Sequence, residues 1–428
     1  MKSLLGCKGQ GLKTRNTLPG WAPAACMLLA VAGCARPPAP VLQAAPPVAR
    51  VTAAGRDAPL TRLFWALDDL RHGGPPVVAL QLGDSHTAND SFSGEMRARL
   101  QARFGNAGRG PLQPGIPFPW YRPGAVHVEQ SGFAAVSALN PANPGPFGTA
   151  AVRQHAGGVA DATLTATDGL PIDAASVEFY AQPGGGHVQV SASPAPARVI
   201  STNGEAGAFW ADVPVAPGSS AMNLHAVGDG PVDWLGWSVA RAAPGVIYAN
   251  LGIPSATVDL LDRWDAVIAQ AEFARWQPRL IVLAFGTNEG FRDKLDPAAY
   301  EQAFTDKLAF LQRAAPGAAI VVMGPPDGQR RRARRHPESA ACEAGWAIPA
   351  NLPLVRELIR TAAARAGAYY WDWSAAMGGP CGMARMVHQV PPLAMPDHVH
   401  MRTPGYEATA DALFDTLMQA YDRYRRGG

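Results

Sequence analysis

The segment Gly83-Asp84-Ser85-His86 directly follows the apolar run Val77 to Leu82. A strand that ends in a tight Gly-Asp-Ser turn and enters a helix lifts one hydroxyl onto the carboxyl edge of a sheet, beside backbone N–H groups able to hold an anion. That is a place for a nucleophilic serine. A serine hydroxyl attacks a carbonyl only when a base takes its proton, and the base needs a third group to fix its tautomer. Asp397 and His400, three residues apart near the C-terminus, supply such a pair: on a tight turn the carboxylate reaches one imidazole nitrogen and leaves the other facing outward. His400 is then the base. His398, adjacent to Asp397, has the wrong spacing for that role and is left free to line the cleft. Acyl transfer also develops charge on the carbonyl oxygen, and each preorganised donor aimed at it contributes on the order of 3 kcal/mol to the transition state. The candidate donors are the backbone N–H of Ser85, the backbone N–H of Gly252 and the side-chain amide of Asn288. Read singly, Gly252 is equally a turn glycine, Asn288 a helix cap and the histidines surface residues.

Alternating strands and helices must position these groups. A helix pattern from 59 to 72 precedes the first strand, and a helix from 92 to 104 follows Ser85 with apolar residues every four positions. From about 110 to 243 the texture changes to short alternating runs such as Ser176-Val177-Glu178-Phe179-Tyr180 between Gly, Pro and Asn, which predicts an antiparallel β-rich module. After Pro244 the rhythm returns: strand 246–249, helix 257–274, strand 280–285, helix 297–314, strand 318–323, helix 353–366, strand 368–371 and helix 404–425. This predicts a mostly parallel sheet covered on both faces, split as 58–109 and 244–428 around the insertion 110–243.

With 47% hydrophobic and 17% charged residues, most of the chain can bury a core. Its formal charge of +3 includes Lys2, Lys8, Lys13 and Arg15 in an export-like leader; without those four the balance is −1, which calls for no nucleic acid. The leader continues with the apolar stretch Ala24 to Val31 and Ala32-Gly33-Cys34. This resembles a bacterial lipoprotein signal spanning 1–34, with Cys34 as the candidate lipidation site; the alternative is an ordinary signal cut elsewhere. The resemblance implies an exported chain on the periplasmic face of a membrane, and Ala35 after Cys34 favours the outer one. The Pro- and Ala-rich stretch 35–57 reads as a tether. Cys342 and Cys381 then remain, either as a disulfide, if their Cα atoms come within about 7 Å, or as two free thiols.

Gly83-Asp84-Ser85, Asn250-Leu251-Gly252, Gly286-Thr287-Asn288 and Asp397-x-x-His400 together resemble the four blocks of the SGNH, or GDSL-type, hydrolase superfamily. The resemblance implies a flavodoxin-like three-layer α/β/α fold and acyl-ester chemistry with neither metal nor cofactor. A narrower similarity, to Gram-negative periplasmic peptidoglycan O-acetylesterases, rests on Gly83-Asp84-Ser85-His86, Gly286-Thr287-Asn288-Glu289, Tyr370-Trp371-Asp372-Trp373 with Ala376-Met377-Gly378-Gly379, and Asp397-His398-Val399-His400. Those enzymes also carry an inserted β-rich module. The function implied is removal of O-acetyl groups from a cell-envelope glycan, peptidoglycan first. Two alternatives share the residues: an O-acetyltransferase acting on an exported polysaccharide, and a non-catalytic envelope-binding lipoprotein. A metal hydrolase built on His86, Asp397, His398 and His400 is the remote fourth.

Overall fold

The computed structural model describes residues 53–333 and 336–427; the lipoprotein-like leader, Cys34 and most of the 35–57 stretch lie outside the described residues. Five strands form the central parallel sheet: β1 (Val77–Gly83), β2 (Val246–Gly252), β3 (Leu280–Ala284), β4 (Ala319–Gly324) and β5 (Tyr369–Asp372). Their order is β2-β1-β3-β4-β5, the doubly wound flavodoxin-like order, with a topological switch at β1. The first four strands are buried along their whole length, which is why they read as continuous apolar runs rather than alternations.

Alternate strand residues feed two helical layers. On one face Leu80, Leu82, Ala249, Leu283 and Val322 pack against α4 (Ala266–Trp276), α6 (Pro297–Ala314) and α7 (Asn351–Arg365). On the other, Ala79, Tyr248, Val282 and Val321 meet α1 (Thr61–Arg71), α3 (Ser91–Phe104) and α9 (Thr403–Arg425). Two short helices, α2 (Ser85–Ala88) and α5 (Thr287–Gly290), cap the carboxyl ends of β1 and β3, and α8 (Gly382–His388) precedes the C-terminal site segment.

The sequence pattern predicts one helix over 257–274, but the chain makes a 3-10 turn at Val258–Arg263 and begins α4 afresh at Ala266. The break is set by Asp265, whose carboxylate accepts the N–H groups of Val267 and Ile268 and so starts a new helix. A second feature not anticipated is a three-stranded antiparallel sheet of Arg330–Arg331, Glu338–Glu343 and Trp346–Pro349. Cys342, on its edge strand Glu338–Glu343, is disulfide-bonded to Cys381, with Cα atoms 5.3 Å apart.

Between α3 and β2 the chain forms a β-rich sandwich. One sheet is built on Val232–Ala240, flanked by Ala174–Ala181, Val152–Ala156 and Gly108–Leu112; the other is Val126–Ser131, Ala160–Ala166, Ala221–Ala226, His187–Ser193 and Arg198–Ser201 in that order. Inward residues of both sheets, among them Val177, Phe179, Leu164, Val190 and Leu224, share one apolar cluster with Trp234 and Trp237. The module joins the α/β body at its root, where Gly105 and Val246 pair by a backbone hydrogen bond, and the described residues pack as one compact unit.

Trp234 and Trp237 are fully buried, edge to face at 4.7 Å. Trp234→Ala is expected to cost about 3–5 kcal/mol through lost transfer and a residual cavity, measured by urea unfolding; a loss under about 1 kcal/mol would mean that the tryptophan pair is not the sandwich core.

Candidate active site

Gly83 ends β1 because nothing larger fits: a Cβ there would stand 2.3 Å from Thr87 Oγ1 and 2.6 Å from the Ala284 carbonyl. Asp84 then caps α2, its Oδ1 accepting the His86 N–H at 2.9 Å, which leaves Ser85 as the first helical residue with its own N–H unspent by the cap. The Ser85 hydroxyl lies 2.9 Å from His400 Nε2, and His400 Nδ1 lies 2.8 Å from Asp397 Oδ2. The other carboxylate oxygen, Asp397 Oδ1, accepts the N–H groups of Val399 and His400 at 2.9 and 3.0 Å. Partial burial raises the Asp397 carboxyl, but the bond from the His400 ring, helped by those two N–H groups, outweighs it and holds the acid well below the usual carboxylate range. An ionised Asp397 can only accept, so Nδ1 carries the proton and Nε2 presents its lone pair to the serine. The arrangement can deprotonate a hydroxyl and return the proton to a leaving group.

His86 flanks this base. Its ring centre is 5.2 Å from that of His400, and its Nδ1 bonds the Tyr406 hydroxyl at 2.9 Å. Burial, reinforced by the His400 charge, pushes the His86 pKa down to about 3, so the base has a neutral neighbour. Trp373 packs against both His86 and Phe92 in the core.

Of the three expected oxyanion donors, one is corrected. The Gly252 N–H donates to Asn250 Oδ1 at 2.8 Å inside the buried end of β2, and the Gly252 carbonyl accepts from Gln113, so this residue has nothing left to offer a substrate. Glycine is required there for packing: a Cβ would stand 2.6 Å from the Ala88 nitrogen of α2. The chain past Gly252 forms a turn closed by the Ala256 N–H on the Ile253 carbonyl, with Pro254 and Ser255 at its corners. Ser255 is exposed at φ +64°, the left-handed second corner of a type II turn. Among the described residues its N–H has no intrachain acceptor. Asn288 stands beside this turn, its Nδ2 donating to the Ala256 carbonyl at 2.8 Å and keeping a second N–H. A Pro-Ser corner just beyond a strand is the available signal for Ser255; the glycine three residues earlier draws the assignment instead.

Three buried groups carry no assigned role in the sequence: Asn250, Asp90 and Glu289. Asn250 reaches under α2 to the Thr87 carbonyl, Asp90 Oδ1 and Ser93 Oγ at 2.6, 3.1 and 2.7 Å. Asp90 in turn binds Arg97 at 2.7 Å and Arg109 at 3.3 Å; burial alone would raise its carboxyl, and the two guanidiniums override that and hold it well below the usual range. Glu289, next to Asn288, accepts the Val258 N–H at 2.9 Å and so holds the far side of the Ser255 turn.

Burial pushes Glu289 up to about 7 against this Val258 bond. Its folded-state pKa thus lies above the ordinary 4.5, so the stability it contributes is complete below about pH 4.5 and is lost as pH rises through about 7. Glu289→Gln keeps an acceptor for Val258 without ionising. Its stability relative to wild type should therefore grow between about pH 5 and about pH 8 by on the order of 3 kcal/mol, read as a pH series of melting temperatures; a difference flat with pH would show that the carboxyl titrates normally.

A family model for GDSL-like lipases and acylhydrolases matches residues 216–408. No curated protein matches the chain. Among solved structures, a peptidoglycan O-acetylesterase is 26% identical, with a TM-score of 0.71 over 85% of this chain and 96% of that one. Family two carbohydrate esterases from Cellvibrio japonicus and Clostridium thermocellum are also similar, at 11% and 13% identity, TM-scores of 0.29 and 0.31, over 69% and 67% of this chain and 99% and 98% of theirs. With the strand order, the serine at the end of β1, the family-model match and the likeness to the peptidoglycan O-acetylesterase, the chain has the SGNH-hydrolase fold with an inserted β-rich module and is a carboxylic ester hydrolase.

Proposed function

We propose that this hydrolase removes O-acetyl groups from a cell-envelope glycan, and that the glycan is peptidoglycan. The observation that carries the reading is the unbroken hydrogen-bond chain from Ser85 through His400 to Asp397 at 2.9 and 2.8 Å, in a fold shared over most of its length with a peptidoglycan O-acetylesterase. Ser85 Oγ attacks the acetyl carbonyl carbon while His400 Nε2 takes the hydroxyl proton. The tetrahedral oxyanion is held by the N–H groups of Ser85 and Ser255 and by Asn288 Nδ2. Its collapse breaks the bond to the sugar oxygen, which leaves with the proton from His400. Water, deprotonated by the same nitrogen, then releases acetate from the acetyl-serine. Asp397 keeps Nδ1 protonated throughout.

The side chains of Asp397 and His400 are 47% and 39% exposed, so water reaches the acyl-enzyme. That openness favours hydrolysis over transfer to a second sugar, which requires water to be kept out. The lipobox-like Ala32-Gly33-Cys34 supports placement of the enzyme on the periplasmic face of a bacterial membrane, anchored by lipid at Cys34 and facing the polymer.

The test is acetate release from O-acetylated peptidoglycan by the full chain and by Ser85→Ala. Wild-type release should fall by a factor on the order of 10⁴ or more in the variant. Release unaffected by Ser85→Ala would remove the serine from the chemistry. No release from peptidoglycan, with Ser85-dependent turnover of a small acetyl ester, would keep the chemistry and reject the substrate.

A further inference from the structure

The turn that carries both Asp397 and His400 depends on the residue between them. For Asp397 Oδ1 to accept the Val399 and His400 N–H groups while Oδ2 meets the His400 ring, the chain passes through φ +58° at His398. This is left-handed backbone, where glycine is the default and other residues are uncommon, histidine less so than most. Here it holds a histidine that is only 4% exposed, with both ring nitrogens and one ring face engaged. His398 Nδ1 bonds Gln329 Oε1 at 2.9 Å, Nε2 lies 3.4 Å from Glu343 Oε1, and the Trp346 indole stacks on the ring face at 3.8 Å and 14°. The backbone is pinned as well, since the His398 carbonyl accepts the Gln329 N–H at 2.8 Å and its own N–H donates to the Met395 carbonyl at 3.1 Å.

Glu343 and Trp346 belong to the small sheet of Arg330–Arg331, Glu338–Glu343 and Trp346–Pro349, and that sheet is itself anchored. Glu343 Oε2 bonds His388 at 2.7 Å, Cys342 is cross-linked to Cys381 at the start of α8, and the Arg331 guanidinium covers the Trp346 ring at 5.1 Å. Backbone held in a sparsely populated region persists only where its surroundings over-determine it. This grip lies one residue from the acid and two from the base.

We infer that His398 is a positioning residue of the active site: the disulfide-tied sheet grips its ring and so fixes the left-handed turn that sets His400 against both Asp397 and Ser85. The inference rests on the proposed triad. It assigns His398 no contact with substrate and no proton to carry.

Glycine separates the grip from the backbone preference, because His398→Gly makes the same turn without strain and without a ring to hold. Turnover of a small acetyl ester is measured for the full chain, for His398→Gly, for Trp346→Ala, for the two combined and for Ser85→Ala, with melting curves to show each variant folded. The expected result is a kcat lowered tenfold or more in His398→Gly and in Trp346→Ala, with KM within about twofold, since a misplacement of about 1 Å costs up to about a hundredfold. The double variant should be no slower than the worse single one, because both remove the same grip. Full kcat in His398→Gly and Trp346→Ala beside an inactive Ser85→Ala overturns the inference and leaves the triad standing. Losses confined to KM, or losses that multiply in the double variant, overturn it too. Full activity in Ser85→Ala overturns the inference and the triad together.

Discussion

Two glycines facing each other across adjacent strands are the constraint on which the site depends. Gly83 of β1 and Gly252 of β2 are register partners at the carboxyl edge of the sheet, and the absence of a side chain at both lets Thr87 and Ala88 of α2 sit directly on the strand ends. Only with α2 that close does Ser85 project at the edge with its N–H free. Asn250 completes the fit from below. Its amide spans the gap between β2 and the two helices after Ser85, while its carbonyl oxygen takes the Gly252 N–H. The site is thus a consequence of packing at one sheet corner before it is a matter of catalytic groups.

That corner is tied to the sandwich through buried charge. Asp90, immediately past α2, receives Arg97 from α3 and Arg109 from the first strand of the β-rich module, and also the Gly124 N–H from the loop that follows that strand. Removing one partner of such a buried set leaves an uncompensated charge and costs about 3–5 kcal/mol. Arg109 spans both parts, its Nε donating to the Gly124 carbonyl. The inserted module is therefore joined to the nucleophile's support by ion pairs and not by the chain alone, in keeping with a body whose described residues pack as one unit.

Much of this was legible in the sequence where local chemistry decides structure. Continuous apolar runs marked buried parallel strands, four-residue spacing marked α3, and the three-residue spacing of Asp397 and His400 anticipated a carboxylate–imidazole contact that the structure shows at 2.8 Å. What was not legible depends on contacts between distant segments. Gly252 looks like any glycine that could expose an N–H, and only the Asn250 side chain, which takes that N–H, rules it out. Glu289 reads as a polar loop residue until Val258 is brought to it. The helix expected over 257–274 failed at Asp265, where a cap outweighed the apolar periodicity. His398 carries no sequence mark of its left-handed backbone, because what stabilises it comes from residues 329–346.

The hydrogen bond between Ser85 and His400 closes a loop of 315 residues. A polypeptide that has emerged and folded as far as β4 already has Ser85, the Ser255 turn, Asn288 and the whole sandwich, yet has neither His400 nor Asp397, the base and orienting acid of the proposed triad. On that triad, hydrolytic capacity is acquired in one step, when the last segment docks, and a chain interrupted anywhere before it is chemically silent however well the remainder has folded. Ester turnover by this protein is in effect a report on the completeness of its own folding.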